Sequence, residues 1–334
     1  MNKIDNSNII LFGMDNCKVL AEEISKILNI KLTPIVKTTY QDGETMLVSE
    51  DTVRNRDVYI IASTSKNVNH SYMELFLFLD SLKRASAKNV TVALTYYGYA
   101  RQDRKVSGRQ PIGAKLMANL LQKAGADRII SIDLHNPSIQ GFFDIPVDDL
   151  KAQYPLALEL KKTYSNNFTI VSPDHGGTVR ARKFAELISD NLKICIIDKR
   201  RTGANQSEVM GILGEIKNQN AVIVDDIIDT GGTILKAAKA LKNEGAKDVI
   251  LVASHGLFTK GFEIFENDEN IKEVLITNSV DNYENLSKFK KLKIVSLASF
   301  LSEVISASVV GESISEIYKK WKEAITLFNN GIQK

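Results

Sequence analysis

Three carboxylates stand beside a glycine-rich turn in the segment AVIVDDIIDTGGTILKAAKAL. An apolar run leads into Asp225 and Asp226, and Asp229 precedes Thr-Gly-Gly-Thr and a helical pattern. Glycines between a strand and a helix let backbone N–H groups point inward, and the helix N-terminus adds positive potential. The turn therefore predicts a phosphate cradle, to which the hydroxyls of Thr230 and Thr233 can also donate.

Asp225 and Asp226 would repel a phosphate, so they need another partner. Paired acids can accept hydrogen bonds from sugar hydroxyls, or hold water on Mg²⁺. A phosphate cradle beside such acids fits a pentose phosphate. The alternative is a capped helix with incidental aspartates, which three acids around one turn make a weaker explanation. The sequence contains neither GxxxxGK[ST] nor GxGxxG after a strand, so it predicts no P-loop and no dinucleotide-binding Rossmann site.

A basic, aromatic stretch follows another predicted strand, VTVAL. It reads YYGYARQDRK and carries two arginines and a lysine at the strand exit. Polyphosphate needs such donors, and an arginine plane can also stack on a base. On charge alone, a solvated basic turn is the simpler explanation.

Short β-branched runs alternate with longer helical patterns along the whole chain. The predicted strands include DVYIIAS, NVTVALTYY, RIISIDL, FTIVSPD, KICIID, AVIVDD and DVILVAS. The helical stretches include SYMELFLFLDSLKRA, PIGAKLMANLLQKAG, TVRARKFAELI and TILKAAKALKNEG. Strands that are apolar on both faces suit a buried parallel sheet, and their alternation with helices predicts an α/β fold.

A helix-to-strand unit recurs as LKRASAKNVTVAL, LQKAGADRIISID and LKNEGAKDVILVA. In each copy Ser86, Gly125 or Gly245 interrupts the helix, and a glycine there can take the left-handed cap conformation. The first and third copies also correspond further upstream, which indicates two α/β domains of similar plan. The alternative is that all such units resemble one another. A boundary near residue 151 would give roughly equal halves.

The composition is that of an ordinary globular protein. The 334 residues are 44% hydrophobic and 25% charged, and a net charge of +3 does not suggest bulk binding to nucleic acid or membrane. Cys17 and Cys195 form no CxxC pair, which indicates a reduced compartment without a metal–thiolate site. The sequence shows no signal peptide and no apolar stretch of about 18 residues. We therefore expect a cytoplasmic protein.

The segment VIVDDIIDTGGT resembles the phosphoribosyl pyrophosphate motif of type I phosphoribosyltransferases and of ribose-phosphate pyrophosphokinase. Further segments resemble the second family: YQDGE, YYGYARQDRK, SIDLHNPSIQGFFDIPVDDL, VSPDHGGTVRARKFA and IIDKRR. This resemblance runs from about residue 40 to about residue 310. It implies two phosphoribosyltransferase-like domains, each a mainly parallel sheet flanked by helices. The expected domains are 1–150 and 151–310, followed by a helical tail over 311–334.

The resemblance implies the activity of a ribose-phosphate diphosphokinase. Such an enzyme transfers the β,γ-pyrophosphoryl group of ATP to the 1-hydroxyl of ribose 5-phosphate, giving AMP and phosphoribosyl pyrophosphate. The family implies Mg²⁺ as cofactor, a hexameric homo-oligomer, activation by phosphate and inhibition by ADP. The alternatives are a non-catalytic regulatory relative and a phosphoribosyltransferase. Retention of the site motifs argues against the first, and chain length argues against the second.

The resemblance also implies roles for individual residues. The expected ATP contacts are Tyr40, Asp42, Gly43, Glu44, Arg101 and Gln102. The expected ribose 5-phosphate contacts are Arg201, Asp225, Asp226, Asp229, Thr230, Gly231, Gly232 and Thr233. Lys199 and Arg201 resemble the catalytic pair of a mobile loop, and His135 and Asp174 resemble Mg²⁺-linked residues.

The remaining histidines and acids have simpler explanations. An alternative role for Asp133 is to orient the His135 imidazole. His70, His175 and His255 are expected to be structural or peripheral, and His175 is the strongest exception because it adjoins a predicted metal-linked aspartate.

Several positions depart from the family pattern. KRRTGANQ lacks a proline after the arginines, VMGI lacks an asparagine after the methionine, and HGLFTKGFE lacks Ser-Gly-Pro. The C-terminal stretch EIYKKWKEAITLFNNGIQK is amphipathic and predicts an additional docking helix with Ile317, Trp321, Ala324, Ile325 and Phe328 on its apolar face. These departures concern loops and subunit contacts and leave the predicted substrate residues in place.

Overall fold

A computed structural model describes residues 8–164, 168–203, 206–281 and 288–328, and between 200 and 209 only the backbone is described. The chain forms two compact units. The first unit contains the residues up to Lys151, together with Ser279–Asp281 and Leu297–Glu312. The second unit contains Ala152–Asn278 and the described parts of 282–296 and 313–334.

The strands and helices alternate along most of the chain. The strands are β1 (Ile9–Gly13), β2 (Ile35–Thr39), β3 (Thr45–Ser49), β4 (Asp57–Ala62), β5 (Asn89–Leu94), β6 (Arg128–Ile132), β7 (Val147–Leu150), β8 (Phe168–Ser172), β9 (Ile194–Gly203), β10 (Gln206–Leu213), β11 (Asn220–Ile228), β12 (Val249–Gly256), β13 (Glu273–Thr277) and β14 (Leu292–Val295). The α-helices are α1 (Lys18–Leu28), α2 (Val68–Arg84), α3 (Gly113–Ala124), α4 (Gln153–Tyr164), α5 (Thr178–Ile188), α6 (Gly232–Asn243), α7 (Glu263–Glu266), α8 (Ala298–Val310) and α9 (Ile314–Leu327). This alternation confirms the predicted α/β class.

The first unit is built on a five-stranded parallel sheet in the order β1-β4-β5-β6-β7. Its central strands are buried along most of their length, as the apolar runs predict. Helix α2 packs on this sheet, where the Phe78 ring meets the Phe12 ring edge to face at 5.0 Å. Strands β2 and β3 form a separate antiparallel hairpin.

The second unit contains a seven-stranded sheet in the order β10-β9-β8-β11-β12-β13-β14. Neighbouring strands are parallel, except that β10 runs antiparallel to β9. From β8 the chain continues to β9 and β10 on one side, and it then returns to place β11 on the other side of β8. The carboxyl ends of β8 and β11 therefore flank a topological switch point, where open α/β sheets bind their ligands.

The recurring helix-to-strand unit has one backbone geometry in all three copies. The interrupting residues take left-handed φ angles of 66° at Ser86, 124° at Gly125 and 88° at Gly245. The alanine N–H that follows bonds the leucine carbonyl at the start of each motif: Ala87 to Leu82 at 3.0 Å, Ala126 to Leu121 at 3.1 Å and Ala246 to Leu241 at 3.0 Å. These are Schellman-type helix ends, and the repeat therefore encodes one structural turn used in both units.

The two compact units differ from the expected contiguous ranges 1–150, 151–310 and 311–334 in where helix α8 belongs. This helix belongs to the first unit, where it packs against α1. The Tyr59 hydroxyl donates to the Ser308 hydroxyl oxygen at 3.2 Å. The apolar pattern of this helix indicates burial but does not indicate which sheet it covers. The expected range 151–310 was therefore based on chain order alone.

The C-terminal stretch forms the predicted helix, α9, and packs on α4 and α5 of the second unit. Ile317 and Ile325 are buried, and the Tyr318 ring stacks on the Tyr154 ring at 4.8 Å. The ammonium of Lys161 donates to the Ile325 carbonyl at 2.6 Å. Ala324 and Phe328 remain exposed, so the docked face is narrower than the predicted apolar stripe.

Candidate active site

An acidic pair lies at the carboxyl end of β11, at the switch point of the second sheet. Asp226 is buried and Asp225 is partly buried. A guanidinium from helix α5 reaches both: Arg180 Nη1 lies 2.7 Å from Asp225 Oδ1, and Nη2 lies 3.2 Å from Asp226 Oδ1. The Asp226 backbone N–H also donates to Asp225 Oδ1 at 2.9 Å. These contacts fix both carboxylates in direction.

The acidic pair carries more negative charge than Arg180 neutralises. Burial, followed by the neighbouring Asp226 carboxylate, raises the pKa of Asp225, while the Arg180 guanidinium acts in the opposite direction. Hydrogen-bond donors or a cation arriving at this pair would stabilise its charged form. The arrangement therefore suits a ligand that presents hydroxyl groups or brings a metal ion.

The glycine-rich turn after β11 depends on one residue for its shape. Gly231 has a left-handed φ of 78°, and a Cβ there would lie 2.7 Å from Phe265 Cζ and 2.9 Å from Ile264 Cδ1. Gly232 begins α6, and a Cβ there would meet no atom within 4 Å. The turn thus packs against α7 on one side and is open on the other, and Thr230 and Thr233 are exposed.

Asp229 stabilises this turn through its side chain. Its Oδ1 accepts a hydrogen bond from the Thr259 hydroxyl at 2.5 Å, which ties the turn to the loop after β12. The Leu257 N–H bonds the Ile228 carbonyl at 2.8 Å in the same region. Asp229 was expected to contact the sugar phosphate, and in this structure its described contact holds the turn in place.

Asp174 lies in the turn after β8, across the switch point from the acidic pair. Its Oδ1 accepts the Gly177 N–H at 2.9 Å, and its carbonyl accepts the Ser172 hydroxyl at 2.6 Å. This turn leads directly into α5, the helix that carries Arg180. Asp174 and the acidic pair thus come from the two strands that flank the switch point.

Lys199 lies in strand β9 of an antiparallel hairpin rather than in an open loop. Its backbone is opposite Val209 of β10, and Asp198 is opposite Gly211, so β10 contains a bulge between them. Lys199 therefore lies in a paired strand next to the edge strand of the sheet, and its membership of a mobile catalytic loop stays a prediction. The side chain of Arg201 lies outside the described residues.

The first predicted nucleotide segment forms the tip of the β2–β3 hairpin. Tyr40 donates its N–H to the Glu44 carbonyl at 2.8 Å, and Glu44 donates its N–H to Asp42 Oδ1 at 3.1 Å. Gly43 takes a left-handed φ of 92° in this turn. The hairpin is anchored to α2 by an ion pair of 2.5 Å between Lys37 Nζ and Glu74 Oε1. The four expected ATP contacts of this segment are therefore neighbours at one exposed tip.

The second nucleotide segment and the His135 loop lie at one edge of the first sheet. Arg101 and Gln102 follow β5, and His135 follows β6, which is the parallel neighbour of β5. Asn136 Nδ2 donates to Asp103 Oδ2 at 2.6 Å, which ties the two loops together. The structure therefore brings these three predicted residues to the same end of the unit.

The imidazole of His135 is exposed, and the backbone two residues earlier, at Asp133, is strained. Asp133 has a left-handed φ of 40°, and its Oδ1 lies 3.6 Å from Lys151 Nζ. Lys151 Nζ also lies 2.5 Å from Asp149 Oδ2. Burial raises the pKa of Asp149, although the Lys151 ammonium acts to lower it. Asp133 thus has Lys151 as an ion partner, and its orienting role toward His135 stays a prediction.

The donor set fits a metal ion that arrives with a phosphate ligand. Among the residues that the structure describes, no group of three or more His, Cys, Asp or Glu side chains could hold a metal ion. Mg²⁺ usually binds through one or two carboxylates together with substrate phosphates. Asp174 accepts the Gly177 N–H with Oδ1, which is compatible with that mode.

Arg180 is the main functional candidate that the sequence interpretation did not single out. It lies in the quoted segment VSPDHGGTVRARKFA. The available local signal was a cation in the first turn of the helix after β8. His175 contacts strand β9, where its Nε2 lies 3.0 Å from Asp198 Oδ1. His70 pairs with Glu74, and His255 is buried in β12.

A switch-point crevice with paired acids and a glycine turn defines a phosphoribosyltransferase-type domain, and residues 155–291 match the phosphoribosyl transferase domain family. Residues 9–125 match the N-terminal domain of ribose phosphate pyrophosphokinase. The chain therefore belongs to the ribose-phosphate pyrophosphokinase family.

Similar proteins span nearly the whole chain. A ribose-phosphate pyrophosphokinase of Mycoplasmopsis pulmonis is 60% identical, covering 97% of this chain and 100% of that protein. The Bacillus subtilis protein of the same name is 44% identical, covering 95% and 99%. The crystal structure of phosphoribosylpyrophosphate synthetase from Mycobacterium smegmatis matches with a TM-score of 0.84 at 35% identity, covering 91% and 99%. These similarities confirm the predicted family and the two-domain α/β fold.

Proposed function

We propose that this chain is a ribose-phosphate diphosphokinase, which makes phosphoribosyl pyrophosphate and AMP from ribose 5-phosphate and ATP. The observation that carries the proposal is the acidic pair held by Arg180 directly before the Gly231 turn. That site lies in a chain 60% identical to a ribose-phosphate pyrophosphokinase.

The sugar phosphate would bind along the end of β11. The 5-phosphate would accept hydrogen bonds from the open side of the turn, where Thr230, Gly232 and Thr233 face no protein wall. The ring hydroxyls would donate to Asp225 and Asp226, whose remaining oxygens Arg180 orients. Asp229 would support the turn through Thr259.

ATP would bind to the segments of the first unit. The Tyr40 ring is about half exposed at the hairpin tip, which makes its face available for stacking on adenine. Asp42, Gly43 and Glu44 would contact the nucleotide from the same tip. Arg101 would contact the polyphosphate and Gln102 would support it from the edge that also carries His135.

The reaction needs positioning and charge neutralisation more than covalent chemistry by the protein. The 1-hydroxyl of ribose 5-phosphate loses its proton to water, and its oxygen forms a bond to the β-phosphorus of ATP. The bond between that phosphorus and the oxygen bridging to the α-phosphate breaks, and AMP leaves. Lys199 and Arg201 are proposed to neutralise the negative charge that develops on the transferring group.

Mg²⁺ is the proposed cofactor. His135 of the first unit and Asp174 of the second unit, through the carboxylate oxygen that does not bond Gly177, are each proposed as Mg²⁺-linked residues. When bound, the ion neutralises phosphate charge and orients the polyphosphate.

A non-catalytic regulatory relative and a phosphoribosyltransferase are the alternatives to this proposal. Purified protein should be incubated with ATP, Mg²⁺ and ribose 5-phosphate without any base or amine acceptor. We expect AMP and phosphoribosyl pyrophosphate in equal amounts. Consumption of neither substrate would support the regulatory relative. Formation of a nucleoside 5′-monophosphate and pyrophosphate from supplied phosphoribosyl pyrophosphate and an added base would support the transferase.

The hexameric state, activation by phosphate, inhibition by ADP and cytoplasmic location stay predictions of the resemblance and the composition. Within the described ranges, no helix is long and apolar enough to cross a membrane.

A further inference from the structure

We infer that His175 and Asp198 form a positioning pair that sets the direction in which strand β9 presents Lys199. The inference rests on the proposed function, because it assigns a consequence to the proposed catalytic lysine. His175 Nε2 lies 3.0 Å from Asp198 Oδ1. The contact joins the residue after Asp174 to the residue before Lys199.

Hydrogen bonds hold the backbone of the turn that contains His175. The His175 carbonyl accepts the Thr178 hydroxyl at 2.9 Å, which ties it to the first turn of α5. The preceding Asp174 bonds the Gly177 N–H at 2.9 Å and accepts the Ser172 hydroxyl at its carbonyl. The backbone of the turn is thus held on both sides by its own hydrogen bonds, so the imidazole reaches the neighbouring strand from a fixed backbone position.

Asp198 and Lys199 are successive residues of one strand, so their side chains point to opposite faces. A contact that restrains Asp198 on one face therefore restrains the rotation of the strand about its axis. That rotation decides where the Lys199 ammonium points on the other face. The pair acts through Lys199 and need not touch a substrate.

Strand β10, which pairs with β9, restrains the rotation of β9 only weakly next to Lys199. Val209 is opposite Lys199, and Gly211 is opposite Asp198, with Met210 as the additional residue of the bulge. A bulge interrupts the regular ladder and increases local twist, and bulges commonly redirect side chains near active sites. A side-chain tether at Asp198 supplies the restraint that the ladder lacks.

The pair contributes little to overall stability, which separates its positioning role from a structural one. The His175 and Asp198 side chains are 61% and 46% exposed, and exposed pairs of this kind stabilise folded proteins only weakly. Removing the contact should therefore leave the fold intact. A loss of turnover would then report the placement of Lys199.

The same hairpin offers a matched control. Lys193 Nζ lies 3.0 Å from Glu215 Oε2, and both side chains are exposed. This pair also bridges the two ends of the β9–β10 hairpin, but it lies at the end away from Lys199. Substitution of either residue removes an exposed ion pair of the hairpin without touching the segment next to Lys199.

The test compares His175→Ala, Asp198→Ala, the double variant, Asp198→Asn and the control Lys193→Ala in one assay of AMP and phosphoribosyl pyrophosphate formation. We expect kcat to fall about tenfold or more in both single alanine variants, as for a misplaced catalytic group. Both KM values should stay within about threefold, since substrate contacts are kept. The double variant should lose no more than the worse single variant, because the residues act as one unit.

Asp198→Asn keeps an oxygen that accepts from the imidazole, so it should restore kcat to within about threefold of the wild type. Lys193→Ala should match the wild type. Wild-type kcat in either alanine variant, multiplicative losses in the double variant, or an Asp198→Asn variant as slow as Asp198→Ala would overturn the inference. A wild-type chain without turnover would reject the proposed function, and the inference with it; thermal unfolding of each variant identifies losses caused by misfolding.

Discussion

Nη1 of Arg180 lies 2.7 Å from Oδ1 of Asp225, a contact that joins helix α5 to the end of strand β11. Nη2 of the same guanidinium lies 3.2 Å from the buried Asp226. One side chain of α5, the helix that follows β8, thus reaches both acids of β11. The proposed sugar site depends on this arrangement.

Arg180→Met should weaken ribose 5-phosphate binding selectively. Loss of the guanidinium leaves Asp226 buried without that partner and frees both carboxylates to turn, which costs roughly 1–3 kcal/mol, or about fivefold to about 150-fold in affinity. We expect KM for ribose 5-phosphate to rise by a factor in that range, and KM for ATP to change less than about twofold. Arg182→Met, an exposed position on the same helix, is the control. Equal changes in both KM values would contradict the selective role.

Asp225→Asn should flatten the pH dependence of stability in the absence of ligand. The raised pKa of Asp225 means that the folded chain binds more protons than the unfolded chain above the usual carboxyl pKa of about 4. The free energy of unfolding therefore falls as pH rises through that window toward the raised folded pKa. Denaturant titrations at pH 4.5 to 7.5 should show a smaller fall in the variant. An identical pH profile would show that Asp225 is ionised normally.

Gly231→Ala should destabilise the protein, while Gly232→Ala should not. The first substitution places a Cβ against Phe265 and Ile264 at a φ of 78°, at a cost of roughly 1–3 kcal/mol. The second adds a methyl group to open space at the start of α6, so thermal stability should be kept. Its Cβ would enter the space proposed for the 5-phosphate, and KM for ribose 5-phosphate should rise. Equal stability of the two variants would refute the packed-turn interpretation.

Lys161→Met should remove an alkaline gain in stability. Burial lowers the pKa of Lys161 to about 8, from an ordinary value of 10.5. Between these values the unfolded chain holds a proton that the folded chain has released, so the free energy of unfolding rises with pH. Thermal unfolding from pH 8 to pH 10 should show this rise in the wild type and a weaker one in the variant. Lys162→Met, which removes an exposed pair with Glu159, should behave like the wild type.

The sequence predicted the local elements of the site better than the contacts between them. The apolar run before Asp225 and the glycines before α6 are local signals, and both elements formed as expected. The Arg180 contact depends on which strand lies beside β11, and strand order is not written in any one segment. The unit in which helix α8 packs depends on the same kind of non-local contact.

The hairpin around Lys199 shows a second limit of sequence interpretation. The segment KRRTGANQ is polar, and such a composition is typical of a loop. Backbone pairing between β9 and β10 forms the strand all the same, because ladder hydrogen bonds do not require apolar side chains at an edge. The contact between His175 and Asp198 then depends on a register that the sequence does not reveal.

The most direct test of the account follows the 1-oxygen of the sugar. Ribose 5-phosphate labelled with ¹⁸O at carbon 1 should be converted by the wild-type protein with ATP and Mg²⁺, faster than the anomeric oxygen exchanges with water. If that oxygen attacks the β-phosphorus, ³¹P NMR will show the label in the bond that joins carbon 1 to the new pyrophosphate, with AMP released. Label appearing in water, or ADP as the nucleotide product, would contradict pyrophosphoryl transfer to the 1-hydroxyl.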